Sequence, residues 1–232
     1  MNNLFSFGCS VTENLDNLPD WSERIIYSKE YVGFKYKCWP ELLAEKLDFI
    51  PKNYAASSAW GKFPFNLGNT NEDILEALAL TCNQFKKDDI IIIQLTTLGR
   101  FRYLTKNLDF DTILPSHIDS YDEKQTLIDL LENKSKREWV RPLLNNLNPY
   151  LLLSKKIGFK IYIWSNCDTI QEYIKSNPNT NWLFDNNIND LLPKLGAYPI
   201  TDETDGKLVD YHLGYPGQEI LANYIYNKIK NE

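Results

Sequence analysis

Apolar positions along the chain change their spacing from segment to segment, and the changes lay out the elements. Residues 4–8, LFSFG, form a short apolar run that predicts a buried strand. Residues 39–47, WPELLAEKL, repeat apolar side chains at helical spacing, with Pro40 suited to a first helical turn. KNYAAS at 52–57 predicts a second strand, and NEDILEALALTCNQF at 71–85 an amphipathic helix with acids in its first turn. DIIIIQL at 89–95 is the clearest strand. Its four consecutive isoleucines suit a strand covered on both faces, as in a parallel sheet. Residues 123–157 predict one or two helices, bent near Pro142. FKIYIW at 159–164 predicts another strand and NWLFD at 181–185 a short fifth one. GQEILANYIYNKI at 217–229 predicts a C-terminal amphipathic helix.

Strands alternating with helices in this order predict a doubly wound, flavodoxin-like α/β fold. Its parallel sheet has about five strands with helices on both faces. No repeat, low-complexity tract or linker interrupts residues 1–232, so a single domain is expected. Two stretches, 11–37 and 97–122, are too long for simple connections. Each follows a strand, which places it at the sheet's C-terminal edge, where open α/β sheets bind ligands. Long loops there suit substrate walls or a lid.

Composition narrows the function classes. Lys plus Arg total 25 against 31 Asp plus Glu, a formal charge of −6 that disfavours binding to a phosphate backbone. No apolar run reaches the ~20 residues of a membrane span. The start, MNNLFSFGCS, lacks a basic segment followed by a long apolar one, so a cytoplasmic protein is expected. Cys9, Cys38, Cys82 and Cys167 form no CxxC pair, and His117 and His212 are the two histidines. That spacing offers no metal site, and neither metal nor cofactor is expected.

Three segments point to one place. FSFGCSVTEN carries Ser10 just beyond the first strand, GNTN (residues 68–71) precedes the second helix, and DYHLGYPGQEILA (210–222) leads into the last helix. In a parallel sheet the first two share an edge, and a histidine in a loop before the last helix reaches it. Ser10, His212 and Asp210 then supply nucleophile, base and orienting acid for acyl transfer. A serine is a weak nucleophile until a base takes its proton, so Ser10 depends on His212. Cys9 is the alternative nucleophile, although a residue just before such a turn tends to face the core. Gly68 has no Cβ, so its N–H approaches a substrate oxygen closely. Asn71 is either a second oxyanion donor or the N-cap of its helix. Arg100, beyond the central strand, suits an anionic substrate group or an ion pair. Trp21, Trp60, Phe63 and Phe65 are either platforms for a sugar ring or packed loop anchors.

This combination resembles the SGNH (GDSL-like) hydrolase superfamily. In that family a Gly-Asp-Ser motif follows the first strand, a Gly marks a second block, an Asn a third, and an Asp-x-x-His block precedes the final helix. FGCSVT is similar to a variant branch with Gly-Cys-Ser, GNTN to that branch's Gly-x-Ser-Asn block, and DYHLGYPGQEILA to the terminal block. The third block here reads QLTTLGR (94–100) without an Asn, so Thr96, Thr97 or Arg100 is left to substitute. Asp210 precedes His212 by two residues instead of three, with Asp202 and Asp205 in reserve.

The resemblance implies a serine esterase or acyl hydrolase acting on a small-molecule or carbohydrate ester. Ser10 and His212 would act with Asp210. The oxyanion donors would be the N–H groups of Ser10 and Gly68, with Asn71. Arg100, Thr96 and Trp60 would contact substrate. Two other readings stay open: an O-acyltransferase using the same residues on a sugar or other alcohol, and a non-catalytic binding module.

Overall fold

The structure is a computed structural model. It describes the chain apart from residues 10, 19, 21, 56–69, 99, 105–109, 114–124, 126–127, 130–132, 179, 185–187, 196–198 and 202–207. Its strands are β1 (Asn3–Phe7), β2 (Ile50–Asn53), β3 (Ile90–Leu95), β4 (Phe101–Leu104), β5 (Phe110–Ile113), β6 (Lys160–Ser165), β7 (Asn181–Trp182), β8 (Pro199–Thr201) and β9 (Leu208–Leu213). The α-helices include α1 (Glu23–Tyr27), α2 (Trp39–Leu47), α3 (Asn71–Thr81), α4 (Lys136–Ile157), α5 (Asp168–Lys175), α6 (Ile188–Lys194) and α7 (Tyr215–Lys230).

Five strands pair in parallel in the order β2-β1-β3-β6-β7. After β1 the chain steps outward to β2, then crosses back to place β3 on the other side of β1. The gap above β1 and β3 is therefore the topological switch point, where such sheets bind ligands.

Alternation along the strands builds two cores. Phe5, Phe7, Ile91, Ile93, Leu95, Ile161 and Ile163 face Leu78 of α3, Leu147 of α4 and Ile170 of α5. Leu4, Ile90, Ile92, Tyr162 and Trp164 face Trp39 and Leu43 of α2 and Leu221 and Ile225 of α7. The isoleucine run of β3 is buried on both sides, each side chain contributing about 1.5–3 kcal/mol by burial. The doubly wound α/β expectation holds.

Several boundaries differ from these expectations. The second strand covers Ile50–Asn53 instead of 52–57, because Tyr54 leaves the ladder after one bond to the Ser6 carbonyl at 2.8 Å. The helix expected over 71–85 ends at Thr81, whose hydroxyl donates back to the Ala77 carbonyl at 2.8 Å, and a 3-10 turn follows. Its N-cap is Thr70, joined to Asp73 in a capping box, and Asn71 is the first helical residue. The fifth strand shrinks to Asn181–Trp182.

The helix described within 123–157 starts at Lys136 behind a Ser135–Glu138 capping box and runs unbroken past Pro142 and Pro149. Val140, Leu143, Leu147 and Leu151 are buried along one stripe. Burying that stripe outweighs the ~3 kcal/mol an internal proline costs. The last helix begins at Tyr215, two residues before the expected start, with Pro216 in its first turn.

The two long stretches hold structure that periodicity missed. Residues 11–37 contain a 3-10 turn at Leu15–Asn17 and α1, which runs on as a π-type turn to Val32. Within 97–122, β4 and β5 form an antiparallel pair. The segment expected to hold His212 in a loop is instead β9, antiparallel to β8.

Candidate active site

The end of β1 is set by a close approach. A Cβ on Gly8 would lie 2.7 Å from Gln94 Oε1 and 2.8 Å from Thr12 Oγ1, so only glycine lets β1 pass β3 here. The Thr12 N–H then donates to the Cys9 carbonyl at 2.9 Å, just beyond β1. Cys9 is buried, which suits its expected place in the core. Ser10 itself lies outside the described residues.

Thr12 is held from two further strands. Its hydroxyl donates to Gln94 Oε1 at 2.6 Å, and its carbonyl accepts from Asn53 Nδ2 at 2.7 Å. Asn53 Oδ1 in turn accepts from the Ala55 N–H at 3.0 Å.

Beyond β3, Asn71 reaches across from the start of α3. Its Oδ1 accepts from the Thr96 N–H at 2.8 Å and its Nδ2 donates to the Thr96 carbonyl at 3.2 Å. The amide thus caps the end of the strand, not its own helix, and one Nδ2 hydrogen remains beyond that pair. Thr96 is buried and Thr97 exposed. Arg100 closes a turn by donating its N–H to the Thr97 carbonyl at 3.3 Å. Its side chain is half-buried, and the buried Nη1 has no hydrogen-bond partner among the described residues.

His212 is half-buried, one residue before the end of β9. Asp210 lies on the same strand opposite Ile200, and only its backbone is described. Gly68, Trp60, Trp21, Phe63, Phe65, Asp202 and Asp205 lie outside the described residues.

The stretch after β1 packs against this histidine-bearing segment. Helix α1 touches β9. Tyr215, three residues past His212, meets Phe34 at 5.5 Å and Tyr36 at 5.7 Å between ring centroids. The same stretch holds a buried ion pair, Arg24 Nη1 to Glu13 Oε2 at 3.8 Å. Arg24 Nη2 also donates to the Glu13 carbonyl at 3.1 Å and to Cys38 Sγ at 3.4 Å. Burial pushes the Cys38 thiol up to about 11 and the Tyr36 phenol well above its ordinary value.

Sequence reasoning passed over Gln94, Thr12 and Asn53. One of them was visible: Gln94 is the lone polar residue in the β3 run IIIIQL. Among the described residues no group of three or more His, Cys, Asp or Glu is placed to hold a metal ion. No helix among them is long and apolar enough to cross a membrane.

No family model and no curated protein matches the sequence. Solved structures do. The acetyl xylan esterase Est2A from the rumen bacterium Butyrivibrio proteoclasticus aligns with a TM-score of 0.51 at 12% identity, over 99% of this chain and 64% of its own. A carbohydrate esterase, whose active site displays divergent catalytic and non-catalytic binding functions, aligns at 0.49 and 13% identity, over 100% of this chain and 69% of its own. A G-D-S-L-family protein from Desulfitobacterium hafniense DCB-2, described as lipolytic, aligns at 0.48 and 10% identity, over 98% and 99%. At these identities the likeness speaks to fold alone, and the Est2A alignment carries it together with the 2-1-3-6-7 strand order. In fold, the chain is a doubly wound α/β protein similar to the acetyl xylan esterase Est2A.

Proposed function

We propose that this protein is a serine hydrolase of carboxylic esters, acting on a small-molecule or carbohydrate ester in the cytoplasm. Ser10 Oγ attacks the ester carbonyl while His212 takes its proton. Asp210 holds the imidazole in the productive orientation. The N–H groups of Ser10 and Gly68 and the remaining Nδ2 hydrogen of Asn71 stabilise the oxyanion, at about 3–4 kcal/mol per donor. His212 then protonates the departing alcohol and activates the water that releases the acyl group. Arg100, Thr96 and Trp60 border the substrate.

The observation that supports this reading most is the Gly8-Cys9 exit from β1. It sits at the switch point of the sheet, in a turn held from both neighbouring strands. The absence of an Asn from QLTTLGR favours a second reading, a non-catalytic binding module.

A fluorophosphonate probe separates the two. Labelling that disappears in Ser10→Ala and in His212→Ala supports the hydrolase. A folded wild-type protein that resists the probe and leaves a panel of acetyl esters intact is a binding module. If acetyl turns over only when an alcohol acceptor is supplied, the protein is an O-acyltransferase.

A further inference from the structure

We infer that Gln94 and Thr12 act as one positioning unit that sets the turn carrying Ser10; its catalytic readout rests on the ester-hydrolase reading. Gln94 is fully buried, the penultimate residue of the central strand. Every other residue of β3 is apolar. Its Oε1 takes the Thr12 hydroxyl at 2.6 Å, the shortest of the three bonds that hold Thr12. Its Nε2 is buried and has no hydrogen-bond partner among the described residues.

An unpaired buried amide donor is a net cost to folding, and an apolar side chain would fill this site without it. Stability therefore does not account for a glutamine here. What the amide supplies is an acceptor beside Gly8, where a Cβ would collide with it. It fixes the Thr12 hydroxyl, and Thr12 fixes the turn through its N–H to the Cys9 carbonyl. Asn53, from the strand on the other side of β1, holds the Thr12 carbonyl. Thr12 is thus held from β2 and β3 at once.

The test uses Thr12→Val, which keeps the shape and deletes the hydroxyl, Gln94→Met, which deletes the acceptor, and Thr12→Ser, which restores the hydroxyl. Thr12→Val and Gln94→Met should each lower kcat and the rate of probe labelling at Ser10 by roughly 10²-fold, with KM nearly unchanged. The double variant should be no slower than either single one, because the pair acts as a unit. Thr12→Ser should return most of the rate. A folded Thr12→Val with wild-type kcat overturns the inference, as do losses that multiply in the double variant. If Gln94→Met does not fold, the Thr12 pair of variants decides alone. Should the wild type prove inert to probe and esters, the hydrolase reading fails and hydrogen exchange takes over. The Thr12 amide should then exchange roughly tenfold faster in Thr12→Val than in the wild type. Unchanged exchange overturns the inference without reference to catalysis.

Discussion

Gln218 joins the backbone of Trp39 across 179 residues of sequence, accepting its N–H at 2.9 Å. The same side chain donates through Nε2 to the Leu213 carbonyl at 3.2 Å. Trp39 opens α2, so its N–H is one of the donors a helix start leaves without an internal partner. Leu213 ends β9, one residue beyond His212. A single buried amide therefore ties the first turn of α7 to the start of α2 and to the strand that carries the candidate base.

Gln218→Leu should strand both backbone groups in the core. Each buried polar atom left unpaired costs about 1–3 kcal/mol, so a loss of about 2–6 kcal/mol is expected in urea unfolding. Any protein that stays folded should also lose kcat, because the end of β9 is released beside His212. A variant as stable and as active as the wild type would remove Gln218 from both roles.

Asn71→Ala tests the reading of Asn71 as an oxyanion donor against a purely architectural one. As a donor, its loss should cut kcat by roughly 10²-fold with KM little changed. The lost bonds to Thr96 should also lower the unfolding free energy measured in urea, by about 1–3 kcal/mol. A variant that is less stable yet fully active would leave Asn71 as a clamp on the end of β3 and nothing more.

The buried thiols should be silent. Cys38 is held up at about 11 by burial, so at about pH 8 only about one molecule in a thousand carries its thiolate. Cys9 is buried as well, whereas Cys82 and Cys167 are half-buried. Iodoacetamide on the native protein should modify Cys82 and Cys167 and spare Cys9 and Cys38, and denaturation should open all four. Mass mapping reads the outcome; native alkylation of Cys38 would contradict the packing around Arg24.

Glu41 should give the stability a pH slope. Burial is the main cause that raises its carboxyl above the ordinary value, ahead of the opposing bond from the Cys38 N–H at 2.9 Å. The folded chain then holds this proton more tightly than the unfolded chain does. Its contribution is complete below the ordinary carboxylate value and is lost as pH rises through the raised one. Urea midpoints of the wild type should fall relative to Glu41→Gln across that window. A constant difference between the two proteins would show that Glu41 titrates alike in both states.

Periodicity marked out the elements because it reports burial one residue at a time. IIIIQL needs cover on both faces wherever its neighbours come from, and WPELLAEKL forms its helix at the predicted 39–47. The motifs were legible in the same local way: Gly8-Cys9-Ser10 follows an apolar strand, and His212 precedes an amphipathic helix. Everything that needed a distant partner was decided by the tertiary structure. His212 sits in a strand because β8 lies beside it, not because YHLG is strand-forming alone. Asn71 leaves the capping role to Thr70 because its amide finds Thr96, 25 positions away. Gly8 is required by the side chain of Gln94, and Gln218 by the backbone of Trp39. A linear pattern records how much water each side chain avoids; which polar atom meets which is settled only when the strands take their order, 2-1-3-6-7, and bring those atoms within hydrogen-bond range.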